Sequence, residues 1–128
     1  MRRLNSLIIA GVVTASIAGT PAIAAWIDGD VAQLQALDKI TARISTLTAP
    51  IGQATVFGTL SITVKRCAYR PPERPPEDAG FIDIIDRGHD GQSEGKGIFS
   101  GWMFSSSPAV SALEHPVYDI TLLACASD

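Results

Sequence analysis

Apolar and polar residues trade places at every second position in two stretches of this chain. Leu60, Ile62 and Val64 alternate with Thr59, Ser61, Thr63 and Lys65; Ile40, Ala42 and Ile44 alternate with Thr41, Arg43 and Ser45. A period of two marks a strand with one buried and one wet face. The pattern predicts one strand from about Leu37 and a second, the clearest in the chain, within Thr55–Tyr69. Leu47–Gly52, with Pro50 inside it, should break or turn the first. Gly58 suggests a bend or bulge at the start of the second. By strict alternation Cys67 falls on the face opposite Val64, so burying it requires a twist, a bulge or cover on both faces.

Further strands are predicted over Phe81–Asp86, Ile98–Phe104 and Val117–Ala126. Residues 25–36 read as a lead-in, either a short helix capped by Asp30 through Val31, Leu34 and Leu37 or a loose tail. Ser105–Glu114 carries a helix signal: Ser107 can cap, Pro108 suits the first helical position, Ala109, Val110, Ala112 and Leu113 follow, and Pro116 stops it. Short strands, frequent turn residues and no strand–helix alternation predict a mainly β fold. We expect a small antiparallel sandwich or barrel of about five to six strands with one short helix, over residues 37–128.

Two segments interrupt the pattern. Pro71, Pro72, Pro75 and Pro76 fall within six residues, which excludes a helix and a central strand. The stretch should be stiff, extended and solvated. It serves either as a docking ligand for an aromatic groove or, as we favour, as a rigid connection between strands. Its acidic residues Glu73, Glu77 and Asp78 should have ordinary pKa values. Arg87–Gly97, rich in glycine, reads as a surface loop.

The first 24 residues have a different character. Arg2 and Arg3 precede an apolar run from Leu7 to Ala18, and small residues end in Ala22-Ile23-Ala24. These are the parts of a secretory signal peptide over residues 1–24. The competing reading is an uncleaved anchor, though Asn5, Ser6, Thr14, Ser16, Thr20 and Pro21 dilute the run. Cleavage places the mature chain in the periplasm and leaves no further membrane span.

Charge and cysteines narrow the options. The full chain has a formal charge of −3. Without Arg2 and Arg3 it has 8 basic and 13 acidic residues, a charge of −5. An acidic surface argues against nucleic acid and anionic lipid. The two cysteines, Cys67 and Cys125, favour one disulfide in an oxidising compartment. Two separately buried thiols are the alternative, and a metal site would need more clustered ligands than these.

Phe99-Ser-Gly-Trp-Met-Phe-Ser-Ser-Ser-Pro-Ala-Val-Ser-Ala-Leu-Glu-His-Pro-Val-Tyr-Asp119 is a distinctive run. With Leu37-Asp-Lys-Ile-Thr-Ala-Arg43, Phe57-Gly-Thr-Leu60, the prolines and both cysteines, it resembles a family of small exported alphaproteobacterial proteins known only as a domain of unknown function. The resemblance runs from Leu37 to Cys125. It implies a periplasmic protein with paired cysteines and carries no catalytic residue, ligand or partner. The glycine-rich loop is longer here than that family suggests.

Little in the chain points to chemistry. His89 sits in the glycine-rich loop. Ser107, Glu114, His115, Tyr118 and Asp119, with Ser105 and Ser106, could compose a Ser–His–acid site, but no Gly-x-Ser-x-Gly elbow supports it. Capping a helix end is the commoner role for His115. No metal or cofactor motif is present, and no cofactor is expected. Trp102, Met103 and Phe104 are consecutive, so a strand would point Met103 one way and both aromatics the other. Both sides are then either covered or one forms an exposed binding patch. We therefore expect a non-enzymatic envelope module with a protein partner. Its candidate surface is the four prolines with Trp102, Met103 and Phe104. The alternatives are a small hydrolase built on the 105–119 cluster or a ligand- or metal-binding periplasmic module.

Overall fold

A computed structural model describes residues 11–13, 15–16, 18–19, 25–88, 95–108 and 113–127. Nine strands are present among them: β1 (Ile27–Asp28), β2 (Val31–Asp38), β3 (Arg43–Pro50), β4 (Ala54–Phe57), β5 (Leu60–Tyr69), β6 (Asp78–Asp86), β7 (Lys96–Phe104), β8 (Leu113–Glu114) and β9 (Tyr118–Ala126). All pairings are antiparallel. One sheet runs β1-β5-β6-β7, with β4 also paired to β5; the second runs β3-β2-β9-β8. The two pack face to face as a sandwich, with β6 opposite β9.

The core is drawn from the inward positions of both sheets. Leu34, Leu60, Ile62, Ile82, Ile84, Met103 and Ile120 are its largest fully buried side chains besides Val64 and Cys67. Each such aliphatic side chain contributes about 1.5–3 kcal/mol by leaving water.

Several expectations change. Residues 25–36 are not a helix or a tail: they include β1 and most of β2. Ala32, Leu34 and Ala36 are fully buried, and Gln33 and Gln35 lie between them on the wetter face. The strand predicted from Leu37 is instead a hairpin. Asp38 Oδ1 accepts the N–H groups of Ile40 (2.9 Å) and Thr41 (3.2 Å), a local turn of the kind aspartate favours. The chain reverses over Lys39–Ala42, leaving Ile40 and Ile44 exposed. Pro50 ends β3, an edge strand, where its missing N–H breaks no ladder.

Thr55–Tyr69 is also a hairpin. Gly58 turns β4 into β5 at φ +57°, and the Tyr118 ring occupies the place where a Cβ would stand. Of the helix expected over Ser105–Glu114, residues 109–112 lie outside the described residues. Its two ends are a turn at Ser105–Ser106 and strand β8. The signal segment falls mostly outside the described residues. No described helix is long and apolar enough to cross a membrane.

Cys67 and Cys125 are joined, with Cα atoms 5.7 Å apart, and the bond links β5 of one sheet to β9 of the other. Each cysteine lies three residues beyond an inward residue, Val64 and Leu122, and would point outward by alternation. A bulge corrects both. Val64 pairs with Ile82 and Arg66 with the adjacent Phe81, so Lys65 is the extra residue. Gln33 pairs with Ala124 and Leu34 with Leu122, so Leu123 is the extra residue on β9. Gly29 and Asp30 cross between the sheets beside the bond. Gly29 N–H donates to Cys67 O and Asp30 N–H to Ala126 O, both at 2.8 Å. A Cβ at Gly29 would lie 2.8 Å from Ala126 O, so the crossing needs glycine.

The bond closes a sequence separation of 58 residues, for which the chain-entropy treatment gives about 4 kcal/mol. The Cys67→Ala/Cys125→Ala double variant is expected to lose up to that amount in urea unfolding, with both sheets retained in circular dichroism. Deleting Lys65 should remove the bulge, keep Arg66 opposite Phe81 and leave Cys67 facing the core with the disulfide intact; two titratable thiols in that variant would refute Lys65 as the extra residue.

Candidate functional site: an aromatic groove on the outer sheet face

The bulge at Lys65 also determines what the outer face of the first sheet presents. It turns Arg66 and Ala68 outward as it turns Cys67 inward. Cys67, Gly80 and Met103 form one cross-strand row on the core side. On one side of it Asp28, Ala68, Ala79 and Phe104 lie in a row, and on the other side Arg66, Phe81 and Trp102 do. Two alanines thus sit between large side chains. The result is a groove of about 280 Å³ lined by Trp26, Arg66, Ala68, Ala79, Trp102 and Phe104.

The alanines are 5% and 6% exposed, whereas Trp26, Trp102 and Phe104 are 39%, 41% and 38% exposed. Phe81 meets Trp102 edge to face at 5.5 Å, which braces the wall. Arg66 is held at the rim by Asp28, 3.2 Å from its Nη2. Of the aromatic run, Met103 is therefore core, while Trp102 and Phe104 form the exposed patch.

The four prolines sit beside this groove. Arg74 N–H donates to Pro71 O at 3.0 Å and Arg70 N–H to Glu77 O at 3.1 Å. The segment is thus a turned connection from β5 to β6 rather than a straight polyproline helix. Pro71 and Pro75 line a second cavity of about 310 Å³ with Ala25, Trp26, Arg70 and Arg74. The Arg70 guanidinium lies 5.2 Å from the Trp26 ring centroid, a cation–π distance. Trp26 lines both cavities. Sequence reasoning missed Trp26, because it stands alone beside the leader and its neighbours here come from β5, β6 and β7.

The polar candidates do not converge. Ser105 Oγ donates to Asp78 Oδ2 at 3.0 Å, and Ser106 Oγ bonds the Glu77 carboxylate. Ser107 is exposed and its N–H donates to Phe104 O. His115 lies against Asp86, 2.9 Å from Nε2 to Oδ2. Asp78 and Asp86 are the two ends of nine-residue β6, about 26 Å apart at ~3.3 Å per residue.

The serines and His115 are therefore at opposite ends of the sandwich. His115 Nδ1 accepts the Val117 N–H at 3.1 Å, so Nε2 carries the proton and donates it to Asp86. Both ring nitrogens are occupied. Tyr118 stacks on His115 at 5.6 Å and meets Phe57 edge to face at 5.4 Å. Asp119 pairs with Lys39 at 3.0 Å, and Glu114 lies in β8 opposite Asp119. His89 lies outside the described residues. Among the described residues no three His, Cys, Asp or Glu side chains gather as a metal site would require.

Among the described residues, three carboxyls are lowered from their ordinary values. The Lys65 ammonium holds Asp83 low at 2.8 Å, helped by Ser100 Oγ at 2.6 Å. The Gly88 N–H at 2.9 Å does so for Asp86, followed by Thr59 and His115. For Glu77, desolvation pulls upward, but hydrogen bonds from Ser106, Asp78 N–H and Ser105 outweigh it. Glu77 is thus not the solvated, ordinary carboxylate that the proline segment suggests.

Residues 32–125 match the family described as an uncharacterized protein conserved in bacteria (DUF2155). The chain belongs to that family. It is also 30% identical over 90 residues to the uncharacterized protein RP359 of Rickettsia prowazekii (strain Madrid E), a match covering 70% of this chain and 57% of the relative. The chain thus spans a little over half the length of that relative. No solved structure matches the chain. The matched residues of the DUF2155 domain include both cysteines, both bulges and every groove residue except Trp26.

The depressed carboxyls predict how stability varies with acid. A carboxyl lowered by folding stabilises fully above its unfolded value, and this is lost as pH falls through the folded value. Thermal midpoints should therefore hold at mildly acidic pH and fall below about pH 4. The Asp83→Asn/Asp86→Asn variant should show a shallower fall; an unchanged slope would contradict the assignment.

Proposed function

We propose that this DUF2155 domain works in the periplasm as a non-enzymatic module that binds an envelope protein through the groove between Trp26, Trp102 and Phe104. One observation carries the reading: three aromatic side chains stand more than a third exposed around a floor of two alanines. Exposed aromatic rings over a small-residue floor offer a partner large apolar area at low entropic cost. The leader-like first 24 residues and the disulfide support an oxidising, exported setting. The separation of Ser105–Ser107 from His115, with both imidazole nitrogens engaged, speaks for binding over catalysis. The four prolines act as the rigid connection that brings Arg70 and Arg74 beside Trp26.

Photo-crosslinking in the native host tests this. A photoreactive residue at Trp102 or Phe104 should give a discrete protein adduct. One at Ile44, 65% exposed on the other sheet, should not. The same adducts at Ile44, or none at either groove position, would overturn the reading.

A further inference from the structure

We infer that the groove takes an extended segment of its partner in which a bulky apolar side chain is followed, within two or three residues, by a carboxylate. The inference rests on the partner-binding reading above and names the chemistry of the occupant. Two adjoining cavities carry it. The first is lined by Trp26, Ala68, Ala79, Trp102 and Phe104, with only Arg66 charged. It accepts an apolar side chain. The second presents Arg70 and Arg74 between Trp26 and two prolines. Arginine forks match carboxylate oxygens.

The charge distribution is the complementary part. The mature chain carries 8 basic residues against 13 acidic ones, yet Arg66, Arg70 and Arg74 all border these two cavities. Of the acids nearby, Asp28 holds Arg66, Glu77 takes the Ser105 and Ser106 hydroxyls, and Glu73 stands exposed in the proline segment without lining either cavity. Among the described residues, the charged side chains lining the two cavities are thus all arginines, an arrangement that favours an acidic partner over a basic one. Trp26 lines both compartments, so they adjoin. An extended chain advances ~3.3 Å per residue, which sets the spacing of about two or three residues.

The test is selection of peptides from a random displayed library on the protein purified as exported. Both tryptophans of the chain, Trp26 and Trp102, line the groove, so intrinsic fluorescence reports occupancy directly. Selected peptides should share a bulky apolar residue with Asp or Glu within three positions, and should shift that fluorescence.

Affinity should fall ~3–10-fold in Arg70→Ala/Arg74→Ala, as expected for exposed charge pairs. It should fall ~10-fold or more in Ala79→Leu, which fills the floor without touching the core. Acid-free peptides, or ones indifferent to the arginine variant, would overturn the inference while leaving partner binding in place. Peptides indifferent to Ala79→Leu would remove the groove itself. Two further arms identify other occupants and would also overturn it. One is a fluorescence shift with phosphatidylglycerol vesicles but no selected peptide. The other is a concentration-dependent dimer in sedimentation that Ala79→Leu abolishes.

Discussion

One extra residue in β5 decides both faces of this domain. Strict alternation beyond Val64 would bury Arg66 and Ala68 and expose Cys67. With Lys65 bulged out, Cys67 faces the core and meets Cys125, while Arg66 and Ala68 face out and become rim and floor of the groove. A second bulge at Leu123 does the same for Cys125. Bulges bend and twist the strands that carry them, and they commonly re-aim a side chain. Here two of them aim two sulfurs at each other across the sandwich.

The covalent bond and the groove are back to back. Cys67, Gly80 and Met103 share the core-side row directly behind Ala68, Ala79 and Phe104. A binding surface on regular strands is placed more rigidly than one on loops. The Gly29–Asp30 crossing, hydrogen-bonded into both sheets, starts the path that leads back through β1 to Trp26. Asp78 joins the same junction by accepting the Cys125 N–H at 2.9 Å. The side chains that looked like catalytic candidates lie at the two ends: serines hydrogen-bonded to Glu77 and Asp78, and His115 stacked on Tyr118, whose ring abuts Gly58.

Much of this was legible in the residue pattern. The inward face of Leu60, Ile62 and Val64, the need for a bulge or twist before Cys67, and the opposed directions of Met103 and its aromatic neighbours all follow from a period of two. Other parts were hidden by competing signals. In β2 the buried residues are Ala32, Leu34 and Ala36, and alanine is a weak strand former. Val31, Leu34 and Leu37 meanwhile fall at helical spacing. The alternation of Ile40, Ala42 and Ile44 was accidental; the stronger local fact was Asp38, whose carboxylate captures two N–H groups and turns the chain. Trp26 could not be placed because its role depends entirely on contacts far away in sequence.

The account stands or falls on the parity of the two cysteines, and peptide mapping of the native protein without reductant tests it most directly. A single linked peptide pair containing Cys67 and Cys125, with no alkylated cysteine, is the predicted result. Full alkylation of both cysteines in the folded protein would mean that the sulfurs are not joined, which would contradict the account.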